Sequence, residues 1–138
     1  MNKNTVSLLI VDDSDVIRKA IKRILAKESS IEIVGEAEDF RQAISMAALL
    51  KPDVILLDLH MGDDSAYEAE FIKSQFSSCG SRLLVMSLFS EEGDEENRKL
   101  AGGFGAIAML DKADLYDVLI PAIRKSSRSD KPADSIPR

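Results

Sequence analysis

The run Val54-Ile55-Leu56-Leu57-Asp58 decides how this chain folds. Four apolar residues without alternation suit a strand buried on both faces, and such strands belong to parallel sheets. Three other runs share the form: Leu8-Leu9-Ile10-Val11, Leu83-Leu84-Val85-Met86 and Ile107-Ala108-Met109-Leu110. Each leads into residues suited to phosphate or metal chemistry, namely Asp12 and Asp13, Asp58, Ser87 and Lys112. Parallel strands bring their carboxyl ends to one edge, where open α/β sheets bind ligands. Three carboxylates, a hydroxyl and an ammonium are expected to converge there.

Between these runs the periodicity is helical. Val16, Ile17, Ile21, Ile24 and Leu25 recur at helical spacing over 14–27, with Ser14 or Asp13 as the cap. Residues 31–37 alternate as another strand, and Asp39 opens a helix carrying Phe40, Ala43, Ile44, Ala47 and Leu50. A further amphipathic stretch covers 65–76, and the Ser-rich run from Ser77 to Ser81 breaks it. Residues 90–99 hold no apolar residue, so a helix there would be pinned only at its end by Leu100, Ala101 and Phe104. Gly102, Gly103 and Gly105 lower the helix preference before the last strand. The final helix, roughly 113–125, presents Leu115, Val118, Leu119, Ala122 and Ile123, with Pro121 expected to kink it. Strict alternation of five strands and five helices predicts an α/β three-layer sandwich with right-handed crossovers. One domain is expected over 5–125. The polar stretch 126–138 reads as a disordered tail, either a natural terminus or the start of a linker.

Composition narrows the function. With 138 residues and 45% hydrophobic content the chain can bury a core, and its net charge of -6 argues against a nucleic-acid or anionic-membrane surface. Cys79, the single cysteine, makes no internal disulfide and reads as an inert thiol. No apolar stretch approaches the roughly 20 residues of a membrane span. The cytoplasm is the expected compartment.

Carboxylates crowded at one edge repel each other unless a cation compensates. Magnesium suits the set, with Asp13 and Asp58 as direct ligands and Asp12 behind a water. Asp58, alone at the end of its run, is the carboxylate best placed to attack phosphorus and become an aspartyl phosphate. Ser87 can donate to one phosphoryl oxygen and Lys112 can pair with another.

These residues carry a resemblance to the receiver domain of bacterial two-component response regulators. Its carriers are Leu9-Ile10-Val11-Asp12-Asp13-Ser14, the segment Pro52 to Met61 around Asp58, Ser87 and Lys112. Residues 31–37 followed by Pro52-Asp53-Val54 resemble the receivers of helix-turn-helix regulators. The resemblance implies a flavodoxin-like (βα)5 fold with strand order 2-1-3-4-5. It also implies phosphorylation of Asp58 by a sensor histidine kinase, dependence on Mg2+, and the backbone carbonyl of His60 as a third protein ligand. Output would pass to a downstream protein through the face formed by the fourth helix, fifth strand and fifth helix, with a homodimer also open. No nucleic-acid or membrane binding is expected of this chain.

Several positions depart from the pattern. Leu88 replaces a small residue and would narrow access to Asp58. Met109 stands where an aromatic usually swings inward, and Gly62 replaces a proline in the loop after the acceptor. Asp111 beside Lys112 could pair with it or face solvent. His60, otherwise an exposed loop residue, and Phe89 occupy positions that tune phosphoryl lifetime, and Phe89 is expected to hinder attacking water. Two alternatives remain. One is a receiver-like module not switched by phosphate. The other is an aspartate-nucleophile phosphatase of the haloacid dehalogenase type, disfavoured because His60 stands where that family needs a second Asp.

Overall fold

The computed structural model describes residues 5–61, 69–88 and 94–128. Its elements run β1 (Val6–Val11), α1 (Asp15–Leu25), β2 (Ile31–Ala37), α2 (Phe40–Leu50), β3 (Val54–Asp58), α3 (Ala69–Ser78), β4 (Arg82–Ser87), α4 (Asp94–Phe104), β5 (Ala108–Asp111) and α5 (Leu115–Arg128). A 3-10 turn, Lys112–Asp114, joins the last two. The five strands form one parallel sheet in the order β2-β1-β3-β4-β5. The order reverses between β1 and β3, so a crevice opens at the carboxyl ends of those two strands.

Alternate residues of the inner strands feed two cores. Leu8, Ile10, Val54, Leu56, Leu84 and Met86 face the layer of α1 and α5, where Ile21, Leu25, Leu115, Leu119 and Ile123 meet them. Leu9, Val11, Ile55, Leu57, Leu83 and Val85 face the layer of α2, α3 and α4. This two-sided burial explains the unbroken apolar runs. Helix starts follow local chemistry: Ser14 Oγ accepts from the Ile17 amide at 3.3 Å, and Asp39 accepts from the Gln42 amide at 2.8 Å. In β2 the pairing slips, since Leu8 opposes Ile33 while Leu9 opposes Gly35, and Val34 is the extra residue of a bulge. A side chain at Gly35 would meet Leu50, Leu9 and Met46 within 3.4 Å, so the bulged strand lies tight on α2.

Near the end of the chain the structure corrects one expectation. Gly102 and Gly103, expected to lower the helix preference, lie inside α4. Burial of Ala101 and Phe104 outweighs their low propensity, and a Cβ added at Gly103 would meet Ala69 of α3 at an ordinary contact distance of 3.6 Å. The helix stops at Gly105, whose φ of +87° suits glycine, and the Ala106 amide returns to the Ala101 carbonyl at 3.0 Å. The last helix, expected to end near 125, continues to Arg128, and Ser126 within it is buried with its hydroxyl on the Ile123 carbonyl. It runs through Pro121, whose missing N–H removes one helix hydrogen bond, the one to the Asp117 carbonyl. The rest of the expected tail, 129–138, lies outside the described residues. Among the described residues, no helix is long and apolar enough to cross a membrane.

Candidate functional site

The sheet brings the predicted edge residues together. Asp12 follows β1, Asp58 ends β3 and Ser87 ends β4, all three buried, while Asp13 is exposed. One carboxylate oxygen from each of Asp12, Asp13 and Asp58 lies within 4.8 Å of the others. Lys112 stands in the 3-10 turn just past β5 rather than at the strand's end. Asp111 accepts from the Ala113 amide at 3.0 Å and so caps that turn. Neither role weighed for Asp111 in the sequence included this capping. The Lys112 ammonium reaches back over β4 to within 3.2 Å of Asp12 Oδ2 and 3.3 Å of Asp58 Oδ1.

Burial pushes the Asp12 carboxyl above its ordinary range, and the charge of Asp58 adds to the push. The Ser14 amide, 2.8 Å from Asp12 Oδ1, and the Lys112 ammonium oppose it. Asp12 Oδ2 is buried, and the Lys112 ammonium 3.2 Å away is its ion-pair partner. A buried carboxylate oxygen held by that contact, among other hard oxygen donors, fits a hard divalent cation. Three carboxylates against one ammonium leave a formal charge of two negatives, which such a cation balances. At Asp58, both the His60 amide at 3.2 Å and the Lys112 ammonium engage Oδ1.

A family model for the response regulator receiver domain matches residues 8–124. The chain belongs to the response regulator receiver family. This receiver is 35% identical over 127 residues to the response regulator protein VraR of Staphylococcus aureus, covering 91% of this chain and 58% of VraR. It thus spans little more than half the length of the curated relatives it matches. Among solved structures it resembles the signal receiver domain of a response regulator, NarL, from Mycobacterium tuberculosis. That match has a TM-score of 0.77 and 25% identity, over 91% of this chain and 98% of the other. The response regulator domain of Thermotoga maritima CheB superposes with a TM-score of 0.75 at 26% identity, over 90% and 97%. Such receivers are modules of two-component signalling rather than turnover enzymes, and the family binds Mg2+ at an acidic pocket of this kind.

Leu88 is 67% exposed immediately after Ser87. Met109 is half-buried against the core beneath α2, α3 and α4. Phe89 and Gly62 lie outside the described residues. Cys79 places its Sγ 3.3 Å from the Gln75 carbonyl. His60 is exposed, as expected of a loop residue, but its ring has a fixed partner: Nε2 lies 2.8 Å from Asn97 Oδ1.

Two residues of the site escaped the sequence. Asn97 is buried in α4, and its Nδ2 donates to Ser87 Oγ at 3.2 Å. Arg18 is buried and donates through Nη1 to the Asp12 carbonyl at 2.6 Å. Its Nε donates to Glu36 at 3.0 Å, and Nη2 pairs with Asp15. Arg18 thereby ties the turn bearing Asp12 and Asp13 to α1 and β2. The hydrogen bond from Lys22 and the one from Arg18 hold the Glu36 carboxyl below its ordinary range despite partial burial. An arginine in the first turn of the helix that follows the acidic pair was the available signal for Arg18.

Proposed function

We propose that this receiver is a phosphoacceptor whose Asp58 takes a phosphoryl group from a sensor histidine kinase. The observation that carries the reading is the position of Asp58: buried at the end of the central strand, beside two carboxylates, with a lysine ammonium 3.3 Å away. Its Oδ1 is held by the His60 amide and Lys112, which leaves Oδ2 to attack phosphorus in line. The new Oδ2–P bond forms as the P–N bond of a phosphohistidine breaks, and the imidazole leaves with the electron pair. Asp12, Asp13, Asp58 and the His60 carbonyl would hold Mg2+, which when bound neutralises charge on the phosphoryl oxygens. Lys112 then shifts its pairing from the carboxylate to a phosphoryl oxygen, and Ser87 donates its hydroxyl to another. The consequence is read by a partner protein at the face of α4, β5 and α5.

Incubation with magnesium and acetyl phosphate, followed by intact-mass measurement, tests the reading. Here the Oδ2–P bond forms as the acyl P–O bond breaks and acetate leaves. One added phosphoryl group, absent from Asp58→Asn and from a chelator-treated sample, is the expected result. No adduct would favour a receiver-like module that works without phosphate, and continuous release of phosphate would favour a phosphatase.

A further inference from the structure

Asn97 is the one buried residue between 95 and 100, at 9% exposure, on a stretch of α4 otherwise turned to solvent or half-buried. Its amide joins two elements other than its own. Oδ1 meets His60 Nε2 at 2.8 Å and Nδ2 meets Ser87 Oγ at 3.2 Å. An amide oxygen only accepts, so the first contact holds in the states of His60 that carry a proton on Nε2. Those states favour the amide as it stands, with its nitrogen toward Ser87. Turned over, its oxygen would face the Ser87 hydroxyl and draw off its proton. As it stands, Ser87 accepts from Asn97 and keeps its own proton to give. The acceptor it now has, the Leu88 carbonyl at 3.5 Å, is at the far limit of a hydrogen bond.

We infer that Asn97 is a positioning residue that keeps the Ser87 proton available to a phosphoryl oxygen on Asp58, with His60 setting the direction of the amide. The inference rests on the phosphoacceptor reading of Asp58. The relay runs one way, from His60 N–H to the Asn97 oxygen, from the Asn97 amide to Ser87, and from Ser87 to phosphate. Hydrogen bonds aligned in this manner polarise one another.

The test is a double-mutant cycle on the rate of phosphoryl uptake from acetyl phosphate, followed by intact mass in the full chain. Asn97→Leu keeps the volume while removing both hydrogen bonds, and it is expected to slow uptake about tenfold, the worth of one charge-assisted hydrogen bond. In a Ser87→Ala background the same change is expected to have less than about a twofold effect, since no hydroxyl remains to be positioned. His60→Ala, on an exposed loop where folding is not at stake, is expected to slow uptake in the same direction and likewise only when Ser87 is present. Equal slowing with and without the hydroxyl, or no slowing by either variant, overturns the inference. If the unsubstituted protein forms no Asp58-dependent adduct at all, the phosphoacceptor reading itself falls, a different outcome from an adduct that forms regardless of Asn97.

Discussion

Lys112 and Asp58 are joined by a 3.3 Å ion pair that spans from the turn after β5 to the end of β3, with β4 between them. The same ammonium stands 3.2 Å from Asp12, so one cation serves two buried carboxylates. Any other cation entering this edge must share them.

Removal of that ammonium is expected to strengthen magnesium binding. Lys112→Met keeps most of the stem and deletes the charge, and calorimetric titration should show affinity about fivefold tighter, on the order of 1 kcal/mol. Phosphoryl uptake should fall in the same variant. Weaker or unchanged metal binding would contradict competition between Lys112 and the ion.

Asp12 gives a dependence on pH. Its folded carboxyl titrates above the ordinary value of 3.8, so the ionised form opposes folding when no metal is bound. That penalty is absent below 3.8, grows as pH rises through the folded value, and is complete at neutrality. Asp12→Asn should therefore raise the melting temperature of the chelated protein by about 2–4 °C at neutral pH. Thermal melts repeated downward in pH should show this gain shrinking to nothing near 3.8, and a gain that persists there would refute the assignment to Asp12.

Glu36 has the opposite sign. Its carboxyl is held below the ordinary 4.5 by Lys22 and Arg18, so its contribution is present above 4.5 and lost as pH falls through the folded value. Glu36→Gln is expected to cost roughly 0.5 kcal/mol at neutral pH, a figure kept small by solvent screening. Urea denaturation in acid should find the variant and the parent equally stable.

Phe104 anchors the carboxyl end of α4, its ring centroid 5.9 Å from that of Phe40 in α2. Both rings are buried. Phe104→Ala should cost about 3 kcal/mol of stability and speed amide exchange along α4 ahead of the sheet. Uniform acceleration across the whole chain would show that α4 has no separate motion.

Leu88 projects into solvent beside Ser87. Leu88→Ala should change stability by less than about 0.5 kcal/mol, yet raise the rate of uptake from acetyl phosphate if the side chain guards the entrance. Identical time courses by intact mass would remove the guarding role.

Much of this was legible in the chain because burial on both faces leaves a strand no room for polarity. The run from Val54 to Leu57 therefore announced itself, and Asp58 stood out as the first polar residue after it. Asp12 and Asp13 were legible for the same reason. Asn97 was not, because its meaning lies in partners 10 and 37 residues away and its neighbours show no apolar rhythm to mark one position as inward. The glycines of α4 stay within the helix because their low propensity is a local quantity, whereas the burial of Ala101 and Phe104 beside them is a tertiary one. Arg18 was not legible either, because a long side chain can begin away from the apolar stripe and end against a buried carbonyl.

The bulge at Val34 divides β2 between the two layers. Ile31 and Ile33 join the core under α1 and α5, while Gly35 and Ala37 turn to the side of α2, although all four are odd-numbered and would share one face of a regular strand. Glu36 consequently emerges toward α1, where Arg18 and Lys22 wait. Were Val34 paired in turn instead of bulged out, Glu36 would face α2 and a residue of opposite parity would meet Arg18, without altering any chemical group in the acidic pocket. The support beneath the Asp12 carbonyl is thus a matter of counting: it depends on one residue of β2 standing outside the ladder as much as on which residues fill it.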